Sequence, residues 1–244
     1  MKKPALILSA VLLLFAAAGS TQAQGFRRNA VKDPKANMGV KVGFNSTMFF
    51  IDHFAMGGNE LSHIQNNYKV GYFGAFFCRF NLKKHHFIQT EVSYNVLHGS
   101  ISIPNTEEHK ELLQDNALIK STMHTVNVPL LYGYKFIDSY PYGMAFFIGP
   151  QVTYNWERYS KNEYSGFYQQ GVCEKSRPFS FSGVIGLAVN VSNIFFDFRY
   201  EAGLQNTSSN VTFDTSQTPA PHNQYPIEIK RRKNILSFSA GVIF

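Results

Sequence analysis

The chain has 244 residues, a formal net charge of +7, 15% aromatic and 16% charged residues, and a mean hydropathy of −0.17. Helices crossing a membrane would make it far more apolar, whereas one all-β domain of roughly 200 to 250 residues fits both the length and the supply of Phe and Tyr. A membrane β-barrel hides in such averages because only alternate residues are apolar, and for an exported chain the basic balance meets anionic lipid before nucleic acid.

In chain order, Lys2 and Lys3 precede an apolar run from Ala5 to Ala18 and the small polar stretch Gly19 to Ala23, the layout of a secretory signal peptide over 1–23 cleaved after Ala23. The run is shorter than the roughly 20 residues a spanning helix needs. Gln24 offers no lipid-attachment cysteine, so the mature chain is expected to hold the membrane by its fold. Residues 24–37, with Arg27, Arg28, Lys32 and Lys35, read as a periplasmic lead, and 38–244 as the barrel.

Eight period-two runs follow: Met38 to Phe49, Tyr68 to Phe80, Phe87 to His98, Thr122 to Phe136, Gly143 to Trp156, Phe179 to Val191, Ile194 to Asn206 and Lys233 to Phe244. In the first, Met38, Val40, Val42 and Phe44 share one face and Gly39, Lys41, Gly43 and Asn45 the other. In the last, Leu236, Phe238, Ala240, Val242 and Phe244 oppose Ser237, Ser239 and Gly241. This alternation predicts an antiparallel up-and-down transmembrane β-barrel of about eight strands, with lipid outside and a polar lumen. A lipocalin-like soluble barrel would show the same alternation with the faces exchanged. Tyr68, Tyr132, Tyr154, Trp156 and Tyr200 at strand ends favour the membrane form as interface girdles. Pro129, inside the fourth run, predicts a bulge.

Long polar segments (Ile51 to Asn67, Gly99 to Ser121, Glu157 to Pro178, Thr207 to Arg232) alternate with short ones (Asn81 to His86, Ile137 to Tyr142, Ser192-Asn193). Outer-membrane barrels have long external loops and short periplasmic turns, so both termini are expected in the periplasm. In that layout Cys78 and Cys173 lie at opposite ends of the apolar band and stay unpaired. The terminal Phe244 resembles the aromatic signal read by the barrel insertion machinery.

Gly39-Val40-Lys41-Val42-Gly43-Phe44-Asn45, Phe87-Ile88-Gln89-Thr90-Glu91-Val92-Ser93-Tyr94, Val128-Pro129-Leu130-Leu131, Gly149-Pro150-Gln151-Val152 and Arg199-Tyr200-Glu201-Ala202-Gly203-Leu204 together resemble the PorT-like outer-membrane barrel proteins of Bacteroidetes, often called the porin family. The resemblance spans nearly the whole mature chain. It implies a Gram-negative outer-membrane location and a partner in type IX secretion or another envelope assembly.

The inner faces of the predicted strands collect Lys41, Lys69, Arg79, Gln89, Glu91, Lys135, Asp197, Arg199 and Glu201. These fit a charge-paired lumen plug, Glu91 with Arg199 and Asp197 with neighbouring cations, because an eight-strand barrel barely holds its own side chains and buried charges must pair. A conducting pore and a catalytic carboxylate pair are the other uses of such residues. His98 with Ser100 at the external rim lacks an identifiable third member for nucleophilic catalysis. Glu107-Glu108-His109-Lys110-Glu111 and His85-His86 are weak metal patterns. The run Lys230, Arg231, Arg232 and Lys233, at the outer mouth, offers charge-assisted donors to lipopolysaccharide phosphates. The expectation is a non-enzymatic scaffold or accessory protein with no cofactor, no metal and no nucleic-acid partner. A narrow solute porin and a lipid A modifying enzyme are its rivals.

Overall fold

The computed structural model describes residues 35–61, 63–82, 85–106 and 110–244, of Ser209 the backbone alone. The expected signal peptide, most of the lead, and Glu107, Glu108 and His109 lie outside the described residues. Among the described residues twelve strands are formed: β1 Ala36–Met56, β2 Asn59–Glu60, β3 Gln65–Asn81, β4 His86–Ile103, β5 Leu113–Ser139, β6 Tyr142–Asn155, β7 Lys161–Phe167, β8 Gln170–Ser176, β9 Phe179–Val191, β10 Ile194–Gly203, β11 Ser208–Asp214 and β12 Ile227–Ile243. Eight of them close an antiparallel ring in the order β12-β10-β9-β6-β5-β4-β3-β1, and β1 returns to β12. The seam is finished by Phe244, whose N–H donates to Met38 C=O at 2.9 Å while Met38 N–H donates back at 3.2 Å.

All eight expected barrel strands are present, and the sixth has the expected bounds. Ser192 and Asn193 form the two-residue turn between β9 and β10, with Ser192 at positive φ. The long polar segments, however, are not plain loops. β1 runs seven residues past Phe49 to Met56, β5 starts nine residues before Thr122, and β2, β7, β8 and β11 build further sheet in the connections. The cause is a second pattern. Along β4, Leu97, Ile101 and Ile103 point inward, and along β12 so do Ile227 and Ile229. They join Phe49, Phe54, Met56, Leu113, Ile119, Met123 and Phe167 in an apolar core at the end of the ring where the long connections lie.

Nearer the termini the faces are exchanged. Val42 and Phe44 are 69% and 65% exposed on the outside, as are Tyr72, Val92, Leu130, Ile148, Phe198 and Phe238, while Lys41, Asn45, Glu91, Asn127 and Ser239 are buried inside. Phenylalanines also enter this lumen, and glycines make room for them. A Cβ on Gly39 would collide with the Phe77 ring, and one on Gly133 with the Phe87 ring.

The bulge expected at Pro129 falls elsewhere. Pro129 faces inward opposite Gln151 with no register shift, and its carbonyl accepts a hydrogen bond from Thr90 Oγ1 at 3.2 Å. The shift in the β5–β6 ladder lies between Lys135 and Ile137. A missing N–H therefore costs a rung without inserting a residue. Lys69, read as a lumen residue, is exposed, because the β3–β4 register slips between Tyr68 and Tyr72. Both cysteines are free.

Candidate functional site

Two polar clusters lie inside the ring. In the first, Lys41 of β1 donates to Glu91 Oε1 at 2.9 Å and to Asp197 Oδ2 at 2.8 Å. Arg199 of β10 forks onto both Glu91 oxygens at 3.1 Å each and also binds Asp197. Two cations thus face two carboxylates, brought from β1, β4 and β10 by strand alternation alone. Gln89 Nε2 donates to Glu91 Oε1 at 2.6 Å, and Arg79 Nε to Gln89 Oε1 at 2.6 Å, which ties a third cation to the cluster through a neutral amide. Aromatic faces complete the cradle. The Arg79 guanidinium lies 4.5 Å from the Phe87 ring centroid, Arg199 lies 5.3 Å from that of Phe147, and Phe77 meets Phe195 edge to face at 5.1 Å. Cations over aromatic faces are stabilised by the ring quadrupole, more so out of water.

Two of the expected lumen charges stand apart from this cluster. Glu201 accepts from Ser182 Oγ at 3.0 Å in a belt of small polar residues that includes Asn95, Thr125, Gln151 and Thr153. Lys135 is half-buried on the β5 segment leading to the short β5–β6 turn and pairs with Asp138 at 3.7 Å. Several belt atoms, both amide atoms of Asn45 and the Thr47 and Thr125 hydroxyls among them, have no protein hydrogen-bond partner. Buried polar groups of this kind are satisfied by ordered water.

The second cluster sits within the span of the apolar core, between Ile229 and Ile235 along β12, and sequence reasoning missed most of it. Arg231 is 1% exposed and donates to both oxygens of Glu174, from Nε at 3.1 Å and Nη2 at 2.6 Å, and from Nη1 to Ser121 Oγ at 3.2 Å. Its guanidinium lies 4.5 Å from the Phe49 ring centroid. Tyr164 Oη donates to Glu174 Oε2 at 2.6 Å and Asn162 Nδ2 to the same oxygen at 3.1 Å. Glu174 comes from β8, which pairs with β11 apart from the barrel sheet, so this ion pair fastens the β8–β11 ribbon to the ring. Burial, and then the adjoining Glu174 carboxylate, push the Tyr164 phenol well above the ordinary tyrosine range.

The basic run 230–233 is therefore not one patch. Alternation turns Arg231 and Lys233 inward and leaves Lys230 and Arg232 outside, where Arg232 pairs with Asp52 at 2.7 Å. Counting back by twos from lumen-facing Ser239 and Ser237 gives Lys233 and Arg231, so the signal was present in the strand phase. Glu174 carried no comparable mark.

The remaining candidates stay separate. His98 Nδ1 lies 3.2 Å from Thr122 Oγ1 on the neighbouring strand, and Ser100 is buried. His86 meets Tyr132 Oη at 2.6 Å, whereas His85 turns to Asp138 at 3.5 Å. Among the described residues no group of three His, Cys, Asp or Glu is placed to hold a metal.

A family model described as "Outer membrane protein beta-barrel domain" matches residues 22–209. No curated protein matches the sequence. Among solved structures, the outer membrane protein OprG from Pseudomonas aeruginosa is similar with a TM-score of 0.57 at 9% identity, over 86% of this chain and 96% of that one. Neisserial surface protein A gives 0.39 at 8% identity, over 86% and 99% of the two chains. The attachment invasion locus protein Ail of Yersinia pestis gives 0.38 at 11% identity, over 86% and 100%.

Proposed function

The chain belongs to the outer-membrane β-barrel domain family, and from that premise we propose that it is a non-conducting, non-enzymatic membrane scaffold whose long-loop end engages a partner outside the membrane. The observation that supports this most is the filled lumen. The Lys41–Glu91–Asp197–Arg199 cluster with Phe77, Phe87, Phe147 and Phe195 occupies one level, and the Arg231–Glu174 pair set among the apolar core residues occupies another. A solute would have to separate buried ion pairs twice. What remains is a barrel that fixes a folded β-extension at a membrane surface, the arrangement of a docking platform.

On the PorT-like resemblance, the partner class is a type IX secretion or other envelope-assembly component of a Bacteroidetes outer membrane. The termini lie in the periplasm, and Phe244 serves the insertion machinery. Two measurements test this. Wild-type protein in planar bilayers is expected to show no stable single-channel steps; reproducible steps would favour the narrow-porin reading, which the unpartnered polar atoms of the mid-lumen belt also support. Cross-linking in native outer membranes, followed by mass spectrometry, is expected to recover envelope proteins with the barrel. Orientation is read separately: an impermeant maleimide on intact cells should label exposed Cys173 and miss Cys78 on the lipid-facing side of β3.

A further inference from the structure

β10 ends at Gly203, so its ladder with β12 stops at Ala202 and Asn234, and the first turn-ward part of β12 runs on with one edge turned away from the ring. β11 lies beside that edge, and Thr207 N–H donates to Arg231 C=O at 2.9 Å. Between them is a cavity of about 190 Å³ lined by Arg177, Asn206, Asn210 and Lys230, with Glu228 the one carboxylate in its wall. Its position matters as much as its charge. Arg177 is two residues from Phe179 and Asn206 two from Leu204, so the Cα atoms of these two lie at most roughly 7 Å from those of the residues that top the apolar wall. Phe179 and Leu204 are exposed there, above Phe181, Phe198 and Leu236, which are exposed too.

A cationic notch directly over a lipid-facing apolar strip matches one chemistry, an anionic headgroup whose chains continue downward. We propose that this notch seats the phosphorylated sugar headgroup of an outer-leaflet glycolipid of the lipid A class. Arg177 takes a phosphate through its planar fork, Lys230 adds a point charge, and the amides of Asn206 and Asn210 bind sugar hydroxyls. The acyl chains run down the wall formed by β9, β10 and β12. Lys230 is thus the member of the 230–233 run that keeps the role expected from sequence, with Arg177, 53 residues earlier, as its partner. The inference rests on the outer-membrane scaffold reading with the long connections outside.

The test is native mass spectrometry of the detergent-purified full chain titrated with diphosphorylated lipid A. The Arg177→Ala/Lys230→Ala variant is expected to retain about tenfold less lipid, Arg177→Lys/Lys230→Arg to restore most of it, and dephosphorylated lipid A to bind wild type as weakly as the alanine pair binds the phosphorylated form. Folding is checked by heat-modifiable migration; should the alanine pair fail it, Arg177→Gln/Lys230→Gln is read instead. Equal retention by wild type and the neutral variant overturns the site. So does an equal loss toward phosphatidylglycerol, which marks a general anionic surface, or full competition by inorganic phosphate at the lipid's own concentration, which marks a free-anion site. Conductance by the wild type would defeat the plugged-scaffold reading and leave the lipid result standing.

Discussion

The same strands carry opposite insides at their two ends. Between Lys41 and Ser46 on β1, or Leu236 and Val242 on β12, apolar side chains face out and polar ones in. Between Phe49 and Met56, or Ile227 and Arg232, Phe49, Phe54, Met56, Ile227 and Ile229 face in while Glu228, Lys230 and Arg232 face out, with Phe50 the exposed apolar exception. The first arrangement suits lipid outside, where the closed ladder, short of a rung at Pro129, satisfies the backbone and the outer surface needs only apolar cover. The second suits water outside, where burial of Phe54, Leu97, Ile101 and Ile103 drives folding as in a soluble domain. One continuous sheet thus solves two solvent problems, and the exchange level, near His124 and Val126 on β5, marks the edge of the apolar band.

The contrast predicts different failures at the two ends. Arg199→Ala should have the largest effect, about 3–5 kcal/mol, because Glu91 and Asp197 are left buried against Lys41 alone. The readout is loss of the heat-modifiable folded band, a failure of the whole ring. The comparison sharpens if Lys41, Glu91, Asp197 and Arg199 are replaced together by apolar residues of similar volume, which should restore most of the stability, since the net worth of a buried ion cluster over a packed apolar one is small. Failure of that quadruple variant to insert would mean that the charges do more than neutralise one another.

Ile101→Ala should cost about 2–4 kcal/mol through the cavity left in the outer core. Here the loss is local. The folded band should persist, while limited proteolysis cuts first in 104–112 and 215–226. Global loss of the band would show that the two zones fold as one cooperative unit and would break the distinction.

How much of this was legible follows from the same exchange. The membrane-facing alternation is uninterrupted over Leu236 to Val242 and Phe196 to Tyr200, so the strands, their inner faces and the Glu91–Arg199 pairing are legible from period two. The extension carries a loop-like signal because its apolar residues sit in the opposite phase and among Asn, Ser and charged residues, which lowers the periodicity of Ile51 to Asn67 and Gly99 to Ser121. The basic run at 230–233 misled because four adjacent charges suggest a patch, whereas in a strand neighbours never share a face. Glu174 was beyond reach. It lies 57 residues from Arg231, and only the folded connections bring β8, paired with β11, against β12.

The smallest expected effect tests that fastening and depends on pH. Tyr164→Phe removes one hydrogen bond to a carboxylate that keeps Arg231 and Asn162, and should cost about 1.5 kcal/mol near neutral pH, seen as faster proteolysis of the β8–β11 ribbon. Desolvation and Glu174 raise the phenol in the folded chain above its unfolded value, so the stabilisation is complete below an unfolded tyrosine pKa of about 10 and is lost as pH rises toward the folded value. The variant has no such loss. Its disadvantage should therefore shrink as pH climbs past about 10, and the phenolate absorbance gained up to about pH 11 should be the same in both proteins, because Tyr164 contributes none of it. A smaller absorbance gain in the variant would mean that Tyr164 ionises normally, and that the β8–β11 ribbon stands open to water instead of clamped on the ring.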